Sequence, residues 1–184
     1  MGTSNLLRQI CLVVLILAPA VARAIDYAGP EYHYYDVSGS ATEIAEEMHR
    51  KGKDGHFAYT DYRIDYRFRT MPSPKGCAVN WVEVKLQVTI RMPRLVEGGA
   101  EVRQRWSAFE PALRRHELGH EAIGVAAARE IDAALWSVRD QPTCSVADSL
   151  ATRMANDVLA SLKMRDESYD SKTDHGKAQG AIFP

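Results

Sequence analysis

The sequence predicts an α+β fold, in which an N-terminal antiparallel sheet with one short helix precedes a long helix and a C-terminal helix. Residues 59–69 and 77–92 alternate between apolar and polar side chains, a period of two that is typical of half-exposed strands. After Pro93 the apolar period lengthens to about 3.6, which indicates helices. The turn MPSPKG separates the two alternating stretches.

The first 24 residues are predicted to be an export signal rather than part of the fold. Arg8 supplies a positive charge, residues 10–17 form a short apolar run, and ARA at 22–24 fits cleavage after Ala24. The run is shorter than the roughly 20 residues of a membrane span, although an uncleaved anchor is the alternative. We therefore expect residues 25–184 to form one domain without a stable membrane span. We also expect this domain to be periplasmic or secreted.

Charge and cysteine content narrow the class of protein. Basic residues number 23 and acidic residues 24, and the two kinds are mixed along the chain. This pattern argues against nucleic-acid binding, which needs a basic surface. Because Cys11 lies in the predicted signal, only Cys77 and Cys144 remain, and an oxidising compartment favours a disulfide between them. Neither has the close cysteine or histidine neighbour of a zinc knuckle.

The N-terminal half is expected to begin with a strand and a short helix. Residues 31–37, EYHYYDV, are rich in tyrosine and end at a Ser-Gly-Ser turn. Ser40 and Glu43 then have capping-box spacing, and Gly52 can end the helix that they start. The two alternating stretches follow and predict a hairpin or meander.

Two helices are predicted in the C-terminal half. Residues 101–138 are dominated by helix formers, and Ser107 with Glu110 has capping-box spacing. Since Pro111 suits a first helical turn, the main helix is expected to start at Ser107. A last helix is predicted from residue 145 to about 165, followed by a polar ending. The apolar positions of that last helix are Val146, Leu150, Met154, Val158 and Leu162.

The main helix contains RRHELGHEAIG, in which His116 and His120 are four residues apart and Glu117 follows the first. Positions four apart are neighbours on one helix face, so the two imidazoles can share an ion. Zinc favours such donors, and a catalytic zinc keeps one position for water. Glu117 lies beside the ion without binding it and can take a proton from that water, whose pKa falls from about 15.7 to roughly 7. The spacing therefore predicts a hydrolytic zinc site.

The chain resembles a family of bacterial exported proteins described as predicted zinc-dependent proteases, a domain otherwise of unknown function. Tyrosine-rich strands, Trp106 upstream of the active helix, HELGHE and the late motif YDSKTDHG at 169–176 carry the resemblance, which covers most of the chain after the signal. The resemblance implies a zincin-like exported metalloprotease with one zinc ion per chain. A third zinc ligand from the imidazole of His175 fits this resemblance.

The residues themselves leave the third ligand open. The metzincin pattern would require glycine and histidine at positions 123 and 126, where the chain has isoleucine and alanine. Glu130 is about 15 Å from His120 along the helix and cannot reach the ion. The ligand must come from another segment, and His175 is the preferred candidate. The alternatives are Glu167 and Asp157 of the last helix.

Residues near His175 could support the site in other ways. Tyr169 is a candidate catalytic residue, because its hydroxyl could donate to the oxyanion that forms during peptide hydrolysis. Asp170, Thr173 or Asp174 could orient the ligands. Gly176 would allow the backbone a close approach to the site.

The predicted function is an exported zinc metallopeptidase that hydrolyses a peptide or protein substrate. Glu117 is expected to act as general base toward water and then as acid toward the leaving amine. A zinc-containing envelope binding module without turnover is one alternative, and a metal-free helical packing domain is another. Glu117 argues against the binding module, since a structural zinc site needs four ligands and no base.

Overall fold

A computed structural model describes residues 25–183, and the predicted export signal with Cys11 lies outside the described residues. The helices and strands confirm the α+β class. None of the helices between residues 25 and 183 is long and apolar enough to cross a membrane. In chain order the elements are β1 Glu31–Gly39, α1 Ala41–Lys51, β2 Tyr59–Ser73, β3 Gly76–Gly98, α2 Ala100–Ser137, α3 Cys144–Thr173 and a 3-10 turn Lys177–Gln179.

The three strands form one sheet in the order β1-β3-β2. β2 and β3 form the predicted antiparallel hairpin, which closes where Ser73 lies opposite Gly76. β1 instead pairs with β3 in parallel, with Tyr35 opposite Pro93. The prediction of an antiparallel sheet is therefore wrong for β1. α1 and β2 lie between the two strands in the chain, so β3 can run in the same direction as β1. The periodicity of a strand does not encode its direction in the sheet.

One face of the sheet packs under the two long helices. The inner side chains of β2 contact the core while their neighbours in sequence are exposed, which confirms the predicted alternation. The buried side chains of β3 on this face are Val84, Leu86, Val88, Ile90 and Met92.

α1 confirms its predicted start and end. Ser40 and Glu43 form the capping box, with the Ser40 amide donating to the Glu43 carboxylate over 2.8 Å. Ile44 and Met48 are fully buried, so the helix packs its apolar side on the core.

α2 begins at Ala100, earlier than the predicted start at Ser107. The Ser107 hydroxyl donates to a carbonyl within the helix instead of capping its end. Pro111 lies inside the helix and forfeits one backbone hydrogen bond. The first turns nevertheless pack on the core through the buried side chains of Val102 and Phe109, and this burial offsets the cost of the proline.

α3 continues to Thr173, beyond its predicted end near residue 165. Its fully buried side chains include a row of alanines at every fourth position, whereas Val146 is 44% exposed. The helix therefore packs through small side chains, which let it approach its neighbours closely, and not through Val146. The alanines of this row are Ala147, Ala151 and Ala155.

The chain turns sharply after α3 and returns to the core. Asp174, His175 and Gly176 have positive φ angles of 48°, 50° and 84°. Phe183 is then buried, with its ring 5.1 Å from that of Phe109. The predicted polar tail is therefore pinned to the core by an apolar terminus.

The predicted disulfide between Cys77 and Cys144 is present, with a Cα–Cα distance of 5.1 Å. It joins the start of β3 to the start of α3. Backbone hydrogen bonds between Cys77 and Gln141 support the same junction. This bond is consistent with an oxidising compartment.

Replacing both cysteines by serine is expected to lower the free energy of unfolding by about 4 kcal/mol, because the bond closes a loop between residues 67 apart. Thermal unfolding should then occur roughly 10 °C lower. Urea titration followed by circular dichroism measures the change. A loss below about 1 kcal/mol would contradict a stabilising role for the bond.

Candidate metal centre

Two antiparallel helices present the candidate metal ligands to each other. His116, Glu117 and His120 lie on α2, and α3 places Asp166 and Asp170 opposite them. His116 is 5% exposed and Glu117 is 2% exposed, while the His120 side chain is 12% exposed. Burying so many ionisable groups together is costly unless they are paired or bind an ion.

The two imidazoles converge on one carboxylate oxygen. Asp170 Oδ1 lies 3.2 Å from His116 Nε2 and 3.0 Å from His120 Nε2. Ligand atoms held 2.0–2.1 Å from a tetrahedral zinc ion are about 3.3 Å apart, close to these spacings. His116, His120 and Asp170, hereafter the triad, have ligand atoms within 4.8 Å of one another and could hold a metal ion.

The second nitrogen of each imidazole is already engaged. His120 Nδ1 lies 2.9 Å from Asp166 Oδ1, and His116 Nδ1 lies 3.1 Å from Gln179 Oε1. Asp166 is fixed in turn by the Tyr62 hydroxyl of β2. A protonated Nδ1 on each ring can donate to its acceptor. The lone pairs of both Nε2 atoms are then directed toward Asp170. Metal-binding histidines are oriented in this way.

Glu117 is held beside the triad by the sheet. The Thr60 hydroxyl on β2 donates to Glu117 Oε2 over 2.8 Å. Burial raises the pKa of the Glu117 carboxyl to about 7, and the Thr60 hydrogen bond lowers it in part. The carboxylate is therefore fixed in direction and largely shielded from solvent.

The two histidines have pKa values shifted in opposite directions. Burial, together with the neighbouring His120, lowers the pKa of His116. Burial also acts to lower the pKa of His120, but its hydrogen bond to Asp166 and the charge of Asp170 raise it overall. The neutral His116 imidazole is the form that binds metal ions.

His175, the preferred third ligand in the sequence, lies beside the triad and not within it. Its Nδ1 is 3.9 Å from Asp170 Oδ1, and its side chain is half exposed. Its role as a ligand stays a prediction. The sequence alternatives lie farther away: Glu167 is exposed and pairs with Lys163, and Asp157 is exposed on an earlier turn of α3.

Asp170 is the candidate ligand that the sequence placed only in an orienting role. Asp166, Asp170 and Thr173 follow helical spacing and share the face of α3 toward α2. A helix extended through YDSKT would have brought Asp170 under the histidines. This stretch lacks the apolar periodicity that predicts a helix, because its inner side faces a polar site instead of an apolar core.

Tyr169 packs across both histidines. Its ring stacks on His116 at 5.1 Å and meets His120 edge-on at 4.9 Å. Its hydroxyl donates to the His116 carbonyl oxygen over 3.1 Å and accepts from Gln179 Nε2 over 3.1 Å. These contacts support a role in positioning the imidazoles, while the predicted oxyanion contact stays a prediction.

Two glycines make room for this packing. A Cβ atom at Gly119 would lie 2.0 Å from the Tyr169 hydroxyl oxygen. Gly176 has a positive φ angle, and a Cβ there would meet His116 Cγ at 3.0 Å. The predicted close approach of the backbone at Gly176 is therefore confirmed.

Gly119→Ala is expected to displace Tyr169 and to destabilise the fold by roughly 1–3 kcal/mol, the usual cost of overpacking. In a Tyr169→Ala background the same change should be neutral or stabilising, because alanine favours helix over glycine by about 1 kcal/mol. Urea titration of the wild type and the three variants of this cycle measures the difference. Equal destabilisation in both backgrounds would contradict the assigned contact.

The fold and the triad define the class of protein: an α+β protein with a candidate metal centre of two histidines and one carboxylate between two helices. The chain belongs to the family described as bacterial protein of unknown function (DUF922), whose profile matches residues 32–176. The matched region extends from β1 to Gly176 and includes the whole triad. No curated protein and no solved structure matches the chain significantly.

Proposed function

We propose that this protein is an exported zinc-dependent peptidase in which the triad holds one zinc ion. One observation carries the proposal: the Nε2 atoms of His116 and His120 lie 3.2 and 3.0 Å from the same oxygen of Asp170. With both Nδ1 atoms engaged by other side chains, the remaining donors meet at one point. Two histidines and a carboxylate are a ligand set of catalytic zinc sites, in which one position stays open.

Glu117 favours hydrolysis over other uses of these ligands. Two histidines and a carboxylate also occur in non-haem iron oxygenases, which need open positions for other reactants. A buried carboxylate directly after His116 has no place in the ligand set, since the triad is complete without it. Thr60 holds this carboxylate beside the triad, where a general base for water is required.

The proposed reaction divides the work between the ion and the side chains. Zinc, when bound, supplies a Lewis acid that polarises a carbonyl group and acidifies water. Glu117 takes a proton from the water that attacks the peptide carbonyl, so that a carbon–oxygen bond forms. Glu117 then gives this proton to the amide nitrogen as the carbon–nitrogen bond breaks. Tyr169 keeps both imidazoles in place, and its predicted contact with the oxyanion belongs to this proposal.

Export completes the proposal. The sequence of the first 24 residues and the disulfide both support a place in the periplasm or outside the cell. The substrate of the protein would then be a peptide or protein in that compartment.

Digestion of a synthetic peptide library tests the proposed function. The purified protein with zinc is expected to cleave peptides, to lose activity on treatment with a zinc chelator and to regain it when zinc is added back. Mass spectrometry identifies the new termini. A zinc-loaded protein that cleaves none of the library would contradict peptidase activity and favour the binding module, and iron as the copurified metal would contradict the zinc assignment.

A further inference from the structure

A cavity of about 420 Å³ adjoins the triad. His116 lines this cavity and also belongs to the triad, so the cavity and the candidate metal centre share this side chain. His175, which lies 3.9 Å from Asp170, stands at the same junction. A group bound in the cavity would therefore lie directly beside the metal centre. The volume falls within the range of about 300–1,000 Å³ that is usual for ligand pockets.

The cavity is lined in part by buried apolar side chains. Leu113, Ala181 and Phe183 line it and are 5%, 7% and 8% exposed. Phe183 comes from the C-terminal segment, which folds back over α2 after the turn at Gly176. The same packing that pins the terminus to the core thus builds one wall of the cavity.

The cavity is also lined by imidazoles and by one exposed apolar side chain. His56 and His175 line it with their ring centroids 5.0 Å apart. Ile182 also lines the cavity and is 65% exposed, although the residues on either side of it are buried. At this exposure, the Ile182 side chain leaves apolar surface open to contact with a ligand in the cavity.

The charges at the cavity do not favour an acidic ligand. Lys177 is the only lysine, arginine, aspartate or glutamate among the described residues that line it. Its ammonium group is paired with Asp174 at 3.7 Å, and its side chain is 60% exposed. The charge of this lysine therefore already has a partner of opposite sign.

We propose that this cavity binds an apolar side chain of the peptide substrate, at a position next to the cleaved bond. The inference rests on the proposed function, because it takes the bond to lie at the triad. A large aliphatic or aromatic side chain would displace water from the surfaces of Leu113 and Phe183 and would pack against Ile182. Burial of this apolar area would make the peptide bind more tightly than one with a small or charged residue at that position.

Binding of amino-acid hydroxamates to the zinc-loaded protein tests the inference without turnover. A hydroxamate group binds zinc, and the side chain of the probe can then enter the adjoining cavity. Leucine hydroxamate is expected to bind at least 10-fold more tightly than glycine hydroxamate in isothermal titration calorimetry. Ile182→Asp should remove most of this difference while zinc content is unchanged. Met71→Asp is the matched control. Met71 is also exposed, at 54%, but it lies near the end of β2 and does not line the cavity.

The same peptide-library digest provides a second measurement. Large apolar residues should be enriched about 10-fold over aspartate at one position beside the cleaved bond. Equal binding of the two hydroxamates by zinc-loaded protein would overturn the inference and leave the proposed peptidase intact. A leucine preference without any peptide cleavage would support the cavity as a binding site and overturn catalysis. Absence of zinc binding would overturn both.

Discussion

Asp170→Asn is expected to weaken zinc binding by at least about 100-fold and to abolish peptide cleavage under zinc-limited conditions. Among residues 25–183, this carboxylate oxygen is the one anionic donor within reach of both Nε2 atoms. An amide removes its charge while keeping the size of the side chain, so the packing of α3 should survive. Competition with a fluorescent zinc chelator measures the affinity, and circular dichroism reports the fold.

Two variants give this result its controls. Asp166→Asn should lower zinc affinity less, by roughly 10–100-fold, because Asp166 orients His120 and is not a ligand itself. His175→Ala should lower it by less than Asp170→Asn, since the His175 side chain lies beside the triad and is half exposed. Loss of zinc in His175→Ala together with retention in Asp170→Asn would reverse the assignment of the third ligand.

Glu117→Gln is expected to lower kcat by about 10²–10⁴-fold while zinc content and fold remain. The amide has nearly the same shape as the carboxylate, and its oxygen can still accept the hydrogen bond from Thr60. It cannot accept a proton from water, so the contribution of general base catalysis is lost. Rates of cleavage of a fluorogenic peptide, measured with excess zinc, give the change.

Glu121→Gln is the matched control for this experiment. Glu121 lies one turn further along α2 and accepts a hydrogen bond from the Tyr27 hydroxyl, away from the triad. The same loss of charge there should leave kcat within about twofold of the wild type. Equal rates for Glu117→Gln and the wild type would contradict the proposed base.

Local sequence signals predicted most of the fold. The Ser40–Glu43 capping box, the alternation and the helical spacing each depend on neighbouring residues, and they located α1, the β2–β3 hairpin and the two long helices. The parallel pairing of β1 with β3 could not be predicted, because residues 31–39 pair with residues more than 50 positions away. The early start of α2 was missed for a similar reason, since burial of Phe109 against distant parts of the chain outweighs the cost of Pro111.

The candidate site was predicted only in part. His116, Glu117 and His120 were found because their chemistry lies within one helix turn, and the structure buries them as expected. Asp170 was missed because its position depends on how α3 packs against α2, which no local spacing reveals. A carboxylate from the last helix was among the alternatives, but Asp157 lies on an earlier turn of that helix and Glu167 is exposed on another face.

A crystal structure of the zinc-loaded protein, with anomalous diffraction recorded on both sides of the zinc absorption edge, shows directly whether the triad holds the ion. One zinc peak is expected about 2.0–2.2 Å from the Nε2 atoms of His116 and His120 and from a carboxylate oxygen of Asp170. Glu117 should lie near the peak without binding it. An anomalous peak at another place, or no peak within reach of the triad, would contradict zinc binding by these three residues.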